Sequence, residues 1–236
     1  MRSAPIFALR RQAKTLSREQ RLKYGKALDQ VARREGFQSW SHLMADSGQP
    51  DLAALLLSEL TAGDLVLLGA RPGHGKTLLA MEAALAAART GWRAHFFTLD
   101  YSKSDMVDRL RQLGHDPDRA LDDLQLDTSD CICADYIIQQ VGQHVDRTLV
   151  VVDYLQLLDQ DRRHPDLQSQ IVALSGFARR AGAVILFISQ IDRRFEATDR
   201  NLPGLLDVRI VNPLDLSLFN KTCFLHNDQV QMKSVA

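Results

Sequence analysis

The chain has 236 residues, 29 of them Lys or Arg and 29 Asp or Glu, and 45% of its residues are hydrophobic. This apolar and evenly charged composition excludes an intrinsically disordered protein, and the length suits one medium-sized domain with a small appendage. A net charge of zero gives no reason to expect the whole chain to be attracted to DNA or to an acidic membrane surface.

The apolar segments are too short for a membrane protein. The run 52–60 is interrupted by Ser58 and Glu59, whereas a transmembrane helix needs about 18 consecutive apolar residues. The apolar run near the N-terminus is too short for a signal peptide, and the three cysteines have spacings typical of neither a zinc site nor a disulfide framework. We therefore expect a cytoplasmic protein without a membrane partner.

The first 46 residues are basic, with ten Lys or Arg against four Asp or Glu. Apolar residues recur at helical spacing over 24–32, Gly36 follows as a helix stop, and Ser39 can cap a short helix that carries Trp40, Leu43 and Met44. This pattern predicts a small helical module over residues 1–46, and Ser47-Gly48-Gln49-Pro50 is typical of a linker.

Residues 51–236 show the alternation of an α/β domain. Continuous apolar runs at 65–69, 94–98, 149–153 and 184–189 predict strands that are buried on both faces, and helical patterns at 76–90, 103–113, 132–143 and 166–180 follow them. Near the end, 221–225 and 229–233 predict a β-hairpin. The fold class expected is α/β, with a central and mostly parallel sheet.

A phosphate-binding loop lies between the first strand and the first helix of this domain. Its residues match the P-loop pattern, with Ala70 where the strict form has Gly. Glycines let successive N–H groups point at phosphate oxygens, the lysine supplies a charge for the β and γ phosphates, and the threonine hydroxyl can bind Mg²⁺. The predicted nucleotide-binding residues are Ala70, Arg71, Pro72, Gly73, His74, Gly75, Lys76 and Thr77.

An acidic residue at the end of a neighbouring buried strand completes this type of site. Asp153 ends the run Leu149-Val150-Val151-Val152 and is placed to hold Mg²⁺ together with Thr77. The cofactors predicted are therefore ATP and Mg²⁺.

The motifs together resemble the RecA-like ATPase core of DnaB-type replicative helicases over roughly residues 60–226. The resemblance is carried by five segments. They are Gly63-Asp64-Leu65, Ala70 to Thr77, Phe96-Phe97-Thr98-Leu99-Asp100, Val152-Asp153-Tyr154-Leu155-Gln156 and Ile188-Ser189-Gln190-Ile191-Asp192-Arg193, with a weaker match at Leu206-Asp207-Val208-Arg209.

This resemblance implies that Lys76, Asp100 and Gln190 are catalytic. Asp100 stands where the family usually has a Glu that polarises the attacking water, and its shorter side chain must be brought closer to that water. The alternative is that Asp100 only caps the following helix. Gln190 resembles a sensor that contacts the γ phosphate and relays its loss to the loop 191–196.

The resemblance also implies partners. Family members form rings or filaments with ATP between subunits, so we expect a homo-oligomer in which a neighbour supplies a cation, either Lys233 or Arg209. Arg193 and Arg194 follow the sensor where family members contact the backbone of single-stranded DNA. We do not expect the family's arginine finger after Leu225, which argues against processive unwinding.

Three functions are compatible with these features. The first is a DnaB-like ATPase that acts on DNA, and the second is a KaiC-like switch ATPase that moves no strand. The third is a non-catalytic DNA-binding protein that uses the basic module alone.

Overall fold

The computed structural model describes residues 4, 6–22, 24–40, 42–43, 52–98, 100–113, 115–142, 147–159, 164–210, 212–226 and 229–235. Its centre is a seven-stranded sheet with the order β3-β2-β4-β5-β1-β6-β7, in which all neighbours run parallel except β6 and β7. The strands are β1 Leu65–Ala70, β2 Arg93–Thr98, β3 Leu124–Asp127, β4 Thr148–Asp153, β5 Val184–Gln190, β6 Lys221–His226 and β7 Gln229–Ser234.

Eight α-helices surround this sheet or precede it within the described part of the chain. They are α1 Ile6–Glu19, α2 Tyr24–Arg34, α3 Leu52–Ser58, α4 Lys76–Arg89, α5 Lys103–Gln112, α6 Pro117–Asp123, α7 Ala134–Val141 and α8 Leu167–Ala181. Short 3-10 helices lie at Leu155–Asp159, Arg193–Ala197, Leu205–Asp207 and Leu216–Leu218.

The sheet is buried on both faces because its central strands are apolar at nearly every position. Val66 and Leu68 of β1 belong to the apolar layer that α3 and α4 cover, whereas Leu65 and Leu67 point to the layer covered by α7 and α8. This arrangement explains the continuous apolar runs, since parallel strands between two helical layers have no solvated face.

The α/β fold class, the four buried strands and the closing hairpin are confirmed. The four predicted helices are also present, with ends that differ from the prediction by one or two residues. The prediction did not include α3, α6, the edge strand β3 or the 3-10 helices, and it placed no helix at the position of α1 within the helical module.

The N-terminal helices have an apolar cluster of their own. Leu9, Ala13 and Leu16 of α1 are buried against α2, which contributes Leu28 and Val31 among others. The hydroxyl of Ser39 accepts a hydrogen bond from the backbone N–H of His42 at 3.1 Å, as expected of a helix cap.

Met44 and the predicted linker 47–50 lie outside the described residues. The division into a module at 1–46 and an ATPase domain at 51–236 therefore stays a prediction.

A buried ion pair fastens the amino-terminal end of the central strand. The carboxylate of Asp64 accepts hydrogen bonds from Thr61 N and Oγ1 (2.7 and 2.9 Å) and Asn220 Nδ2 (2.6 Å), and it forms an ion pair with Lys221 Nζ at 2.6 Å. Asn220 in turn accepts from the backbone N–H of Leu65 at 2.6 Å. Asp64, part of one of the segments that carry the resemblance, is therefore a structural residue that joins β1 to β6.

None of the helices in the described part of the chain is both long and apolar enough to cross a membrane.

Candidate active site

The predicted phosphate-binding loop joins β1 to α4, and α4 begins at Lys76 with Gly75 as its N-cap. Gly73 and Gly75 have φ values of +83° and +85°, a left-handed conformation that disfavours other residues. Since the first N–H groups of a helix have no intrahelical partner, this end of α4 provides donors and a positive dipole for an anion. The loop therefore offers backbone N–H donors and a positive potential to an anion.

Gly69, just before this loop, is needed for packing. A Cβ at this position would lie 2.7 Å from the ring of Phe224, a buried residue of β6. Only glycine lets β1 and the Phe224 ring approach so closely.

Thr77 and Asp153, the predicted metal ligands, lie close together, since the Thr77 side chain acts on the pKa of Asp153. Asp153 is 1% exposed, and its Oδ2 has no hydrogen-bond partner among the described residues. Burial raises the pKa of this carboxyl to about 6, although Thr77 and the charge of Lys76 act to lower it. A buried carboxylate oxygen beside a threonine hydroxyl fits the oxygen ligands that Mg²⁺ prefers.

Further charged side chains meet around this pair. Lys76 interacts electrostatically with Asp153 and Asp100, and burial lowers the pKa of its ammonium group despite these two carboxylates. Burial likewise raises the pKa of Asp100, while Lys76 and Arg109 oppose that shift. The structure thus brings Lys76, Asp100 and Asp153 together, as the sequence predicted.

Asp100 is not the cap of the helix that follows it. The cap of α5 is Ser102, whose Oγ accepts from Asp105 N at 3.2 Å while Asp105 Oδ2 accepts from Ser102 N at 3.0 Å. The capping alternative for Asp100 is therefore wrong, because a complete capping box begins two residues later.

Gln190 ends β5 directly beside the start of the phosphate-binding loop. It is paired in register with Ala70, and its backbone oxygen accepts from the N–H of Arg209 at 2.8 Å. Gln156 is close by, since its Nε2 donates to Ser189 Oγ at 3.3 Å. The predicted sensor is thus adjacent to the predicted phosphate site.

Arg71 connects the phosphate-binding loop to the loop after Gln190. Its Nε donates to Oε1 of Glu196 at 2.8 Å, and its NH1 donates to the backbone oxygen of Ile191 at 2.9 Å. The arginine is buried, whereas the Glu196 side chain is 57% exposed. These hydrogen bonds therefore couple the position of one loop to that of the other.

His74 packs against the end of β6. Its ring stacks on His226 with centroids 5.1 Å apart, and the edge of Phe195 contacts His226 at the same distance. Burial lowers the pKa of His74, and the neighbouring His226 and Arg71 act in the same direction. This histidine is therefore neutral near pH 7 and keeps the middle of the loop in place by packing.

The remaining predicted residues are on the surface. Arg193 and Arg194 are exposed in the 3-10 helix that follows Gln190, Arg209 is exposed beside that helix, and Lys233 is exposed on the edge strand β7. Pro72, also predicted to bind nucleotide, is exposed at the tip of the phosphate-binding loop.

Two residues of this cluster were not predicted from the sequence. The side chain of Tyr101 lies near that of Thr77, and the guanidinium of Arg109 lies 3.9 Å from the centre of the Tyr101 ring. The Nε of Arg109 is buried without a hydrogen-bond partner among the described residues. The available signal was its place on α5 next to the buried Met106 and Leu110, where a charged side chain is unexpected.

Residues 31–194 match the AAA domain family. The replicative DNA helicase DnaB of Helicobacter pylori (strain J99) is 28% identical over 200 residues, which cover 69% of this chain and 40% of that protein. DnaB of Nostoc sp. is 29% identical over 188 residues, covering 65% of this chain and 21% of the relative. The chain thus spans at most two fifths of the length of these two relatives.

Two solved structures share the fold. One is an ATPase domain with a TM-score of 0.59 at 19% identity, covering 78% of this chain and 80% of that one. The other is a DnaB-like replicative helicase, described with its interactions with primase, which has a TM-score of 0.59 at 18% identity and covers 94% and 65%. The chain therefore belongs to the AAA domain family, with the RecA-like ATPase fold of DnaB-type replicative helicases.

Proposed function

We propose that this chain binds ATP with Mg²⁺ and hydrolyses it as a DnaB-like helicase-type ATPase that acts on DNA in the cytoplasm. One observation carries the proposal. The phosphate-binding loop, with its lysine at the start of α4, lies beside a buried aspartate that interacts with the loop's lysine and threonine and has one oxygen without a partner among the described residues.

Each residue of the loop has a role in this proposal. The backbone N–H groups from Gly73 to Lys76 surround the phosphates, and the Lys76 ammonium neutralises their charge. Thr77 and Asp153 hold the metal, which when bound neutralises the charge that develops on the phosphates. Asp153 and Lys76 are buried, so their electrostatic interactions with the metal and the phosphates would be screened little by solvent.

Asp100 is the proposed base for the attacking water. Burial raises its pKa on balance, but the charges of Lys76 and Arg109 act to lower it and so favour the carboxylate form that accepts a proton. Its backbone N–H donates to the Thr98 hydroxyl at 3.2 Å, which fixes the turn after β2.

Gln190 and Arg71 would couple hydrolysis to DNA. Gln190 is placed to sense the γ phosphate, and the bonds of Arg71 to Ile191 and Glu196 join the phosphate-binding loop to the segment that carries Arg193. Exposed arginines in this segment suit the backbone of single-stranded DNA, which is bound through charge.

We further propose a ring or filament in which the neighbouring subunit supplies a cation to the ATP site. The candidates are Arg209 and Lys233, and both are exposed. A neighbour's cation would stabilise the charge that develops during phosphoryl transfer.

The test measures ATP affinity and turnover, with and without single-stranded DNA, in the parent chain and two variants. Lys76→Ala should abolish tight ATP binding, whereas Asp153→Asn should keep the nucleotide and lose Mg²⁺-dependent hydrolysis. Lys26→Ala is the control, because Lys26 is an exposed lysine of α2. Parental ATP affinity in a folded Lys76→Ala variant would refute the site.

The DNA arm separates the DNA-acting ATPase from a KaiC-like switch. Stimulation of turnover by single-stranded DNA supports action on DNA. If DNA leaves the turnover unchanged, the result favours the switch. Asp100, which stands where the family usually has Glu, is a further argument for the switch.

A further inference from the structure

Helix α1 of the basic N-terminal segment lies against the phosphate-binding loop. The Nζ of Lys14 is 3.0 Å from the point that a Cβ on Gly73 would occupy, and NH1 of Arg10 is 3.8 Å from the corresponding point at Gly75. Both glycines are in the left-handed conformation that shapes the loop. Two cations from outside the α/β fold therefore lie next to the predicted phosphate-binding loop.

The helix geometry places these two cations together. Arg10 and Lys14 are four residues apart, so they project from one face of α1. The apolar stripe of Leu9, Ala13 and Leu16 is about a third of a turn away and is buried against α2. The packing of α1 on α2 thus fixes which face is turned to the loop.

The charges that α1 and the loop bring to this contact have one sign. The positive charge of Lys14 contributes to the lowered pKa of His74, after burial, His226 and Arg71. The N-terminus of α4 and Lys76 add further positive potential to the same loop. A polyanion bound in the loop would stabilise all of these positive charges at once.

We propose that Arg10 and Lys14 bind the phosphates of the nucleotide, so that α1 completes the ATP site of its own chain. The ligand class is a nucleoside polyphosphate with Mg²⁺, and the inference rests on the proposed ATP site. Its consequence is regulatory: nucleotide binding strengthens the contact between α1 and the loop, and loss of the nucleotide weakens it. This assigns a role to the basic charge of residues 1–46.

The experiment uses the full chain with both residues changed, Arg10→Gln and Lys14→Gln. A matched control carries Arg11→Gln and Arg18→Gln, which removes the same charge from exposed residues of α1. Isothermal titration with MgATP should show affinity about tenfold weaker in the test variant than in the control, the lower end expected when charge-assisted hydrogen bonds are lost. Equal affinity in the two variants, or tighter binding in the test variant, would overturn the proposal.

Hydrogen exchange provides a second readout that does not depend on affinity. Saturating MgATP should slow amide exchange in residues 6–19 of the parent and the control, and should leave it unchanged in the test variant. Slowing of equal size in the test variant would contradict the contact.

Lys76→Ala separates this proposal from the one on which it rests. If Lys76→Ala loses ATP and the Arg10/Lys14 variant binds like its control, the role of α1 is wrong and the ATP site stands. If Lys76→Ala binds ATP like the parent, the ATP site itself is wrong.

Discussion

Replacing Asp64 by Asn should destabilise the fold strongly and leave ATP turnover per folded molecule unchanged. The carboxylate accepts three hydrogen bonds and forms an ion pair: its Oδ2 accepts from Thr61 N and Oγ1 and lies 2.6 Å from Lys221 Nζ. An asparagine can keep the bond from Asn220 but turns its own NH₂ donor toward these groups. The side chain of Asp64 is 3% exposed and that of Lys221 is 16% exposed, so the loss resembles the breaking of a buried ion pair.

Such a loss costs about 3–5 kcal/mol of unfolding free energy. At roughly 2–4 °C per kcal/mol for a chain of this size, the midpoint of thermal unfolding should fall by about 10 °C. Denaturant titration at pH 7 measures the free energy directly, with Asp122→Asn as the control because Asp122 is exposed on α6. ATP turnover per folded molecule should not change, since Asp64 is at the opposite end of β1 from the phosphate-binding loop.

The pH dependence gives a second measure of the same interaction. Burial acts to raise the pKa of Asp64, but the bonds from Lys221, Thr61 and Asn220 outweigh it and the net pKa is lowered. A lowered folded-state pKa means that the stabilisation is present above the ordinary value near 3.8 and is lost as the pH falls through the folded value. The gap in stability between parent and Asp64→Asn should therefore narrow below about pH 4.

Two results would refute this reasoning. One is an Asp64→Asn variant no less stable than Asp122→Asn at pH 7. The other is a stability gap that stays constant down to about pH 2, because the gap would then not come from the carboxylate charge.

Three further predictions concern the site. Asp100→Glu should preserve or raise ATP turnover and Asp100→Asn should nearly eliminate it, with ATP affinity unchanged in both; parental turnover in the Asn variant would remove Asp100 from catalysis. Arg109→Gln should move the acid limb of the profile of kcat against pH to higher pH, because the charge of Arg109 acts to lower the pKa of Asp100 against the effect of burial. Arg111→Gln is the control, since Arg111 is exposed and its loss should leave the profile like that of the parent. Gly69→Ala should cost about 1–3 kcal/mol in denaturant titration, since the new methyl group would be 2.7 Å from Phe224; Phe224→Leu should recover part of that loss, and an unchanged stability would contradict the contact.

The four buried strands could be predicted from the sequence, because their continuous apolar runs indicate strands covered on both faces. The sequence was insufficient for β3, where Leu124 and Leu126 alternate with Gln125 and Asp127 over only four residues at the sheet edge. A segment this short acquires its conformation from pairing with β2, which no local pattern reports.

The same limit applies to the site. The phosphate-binding loop and Asp153 follow from spacing along the chain, since both are fixed by the ends of strands. Arg109 and Lys14 reach the site from two helices whose positions depend on tertiary packing. The sequence could therefore predict where the proposed phosphate site lies but not which additional cations lie near it.

Buried polar atoms without partners are concentrated at one edge of the sheet. Six such side-chain atoms occur among the described residues. Two of them, His95 Nε2 and Thr148 Oγ1, belong to neutral side chains within β2 and β4. Of the other four, Asp153 Oδ2 and His226 Nδ1 belong to the last residues of β4 and β6. Gln156 Oε1 and Arg109 Nε belong to helices that come after the strands β4 and β2.

The charged groups at the two ends of the sheet are satisfied in different ways. At the amino-terminal end of β1, every partner that Asp64 needs comes from the chain itself. At the carboxyl-terminal edge, Asp153 and Arg109 each keep a buried atom unpaired. Unpaired buried atoms of charged groups are costly, so a fold that pairs Asp64 fully keeps these two open only where a ligand compensates. The carboxyl-terminal edge of the sheet is therefore the end at which we expect this chain to bind its nucleotide. Pairing of the Asp153 and Arg109 atoms with the metal and the nucleotide would then contribute to the binding free energy.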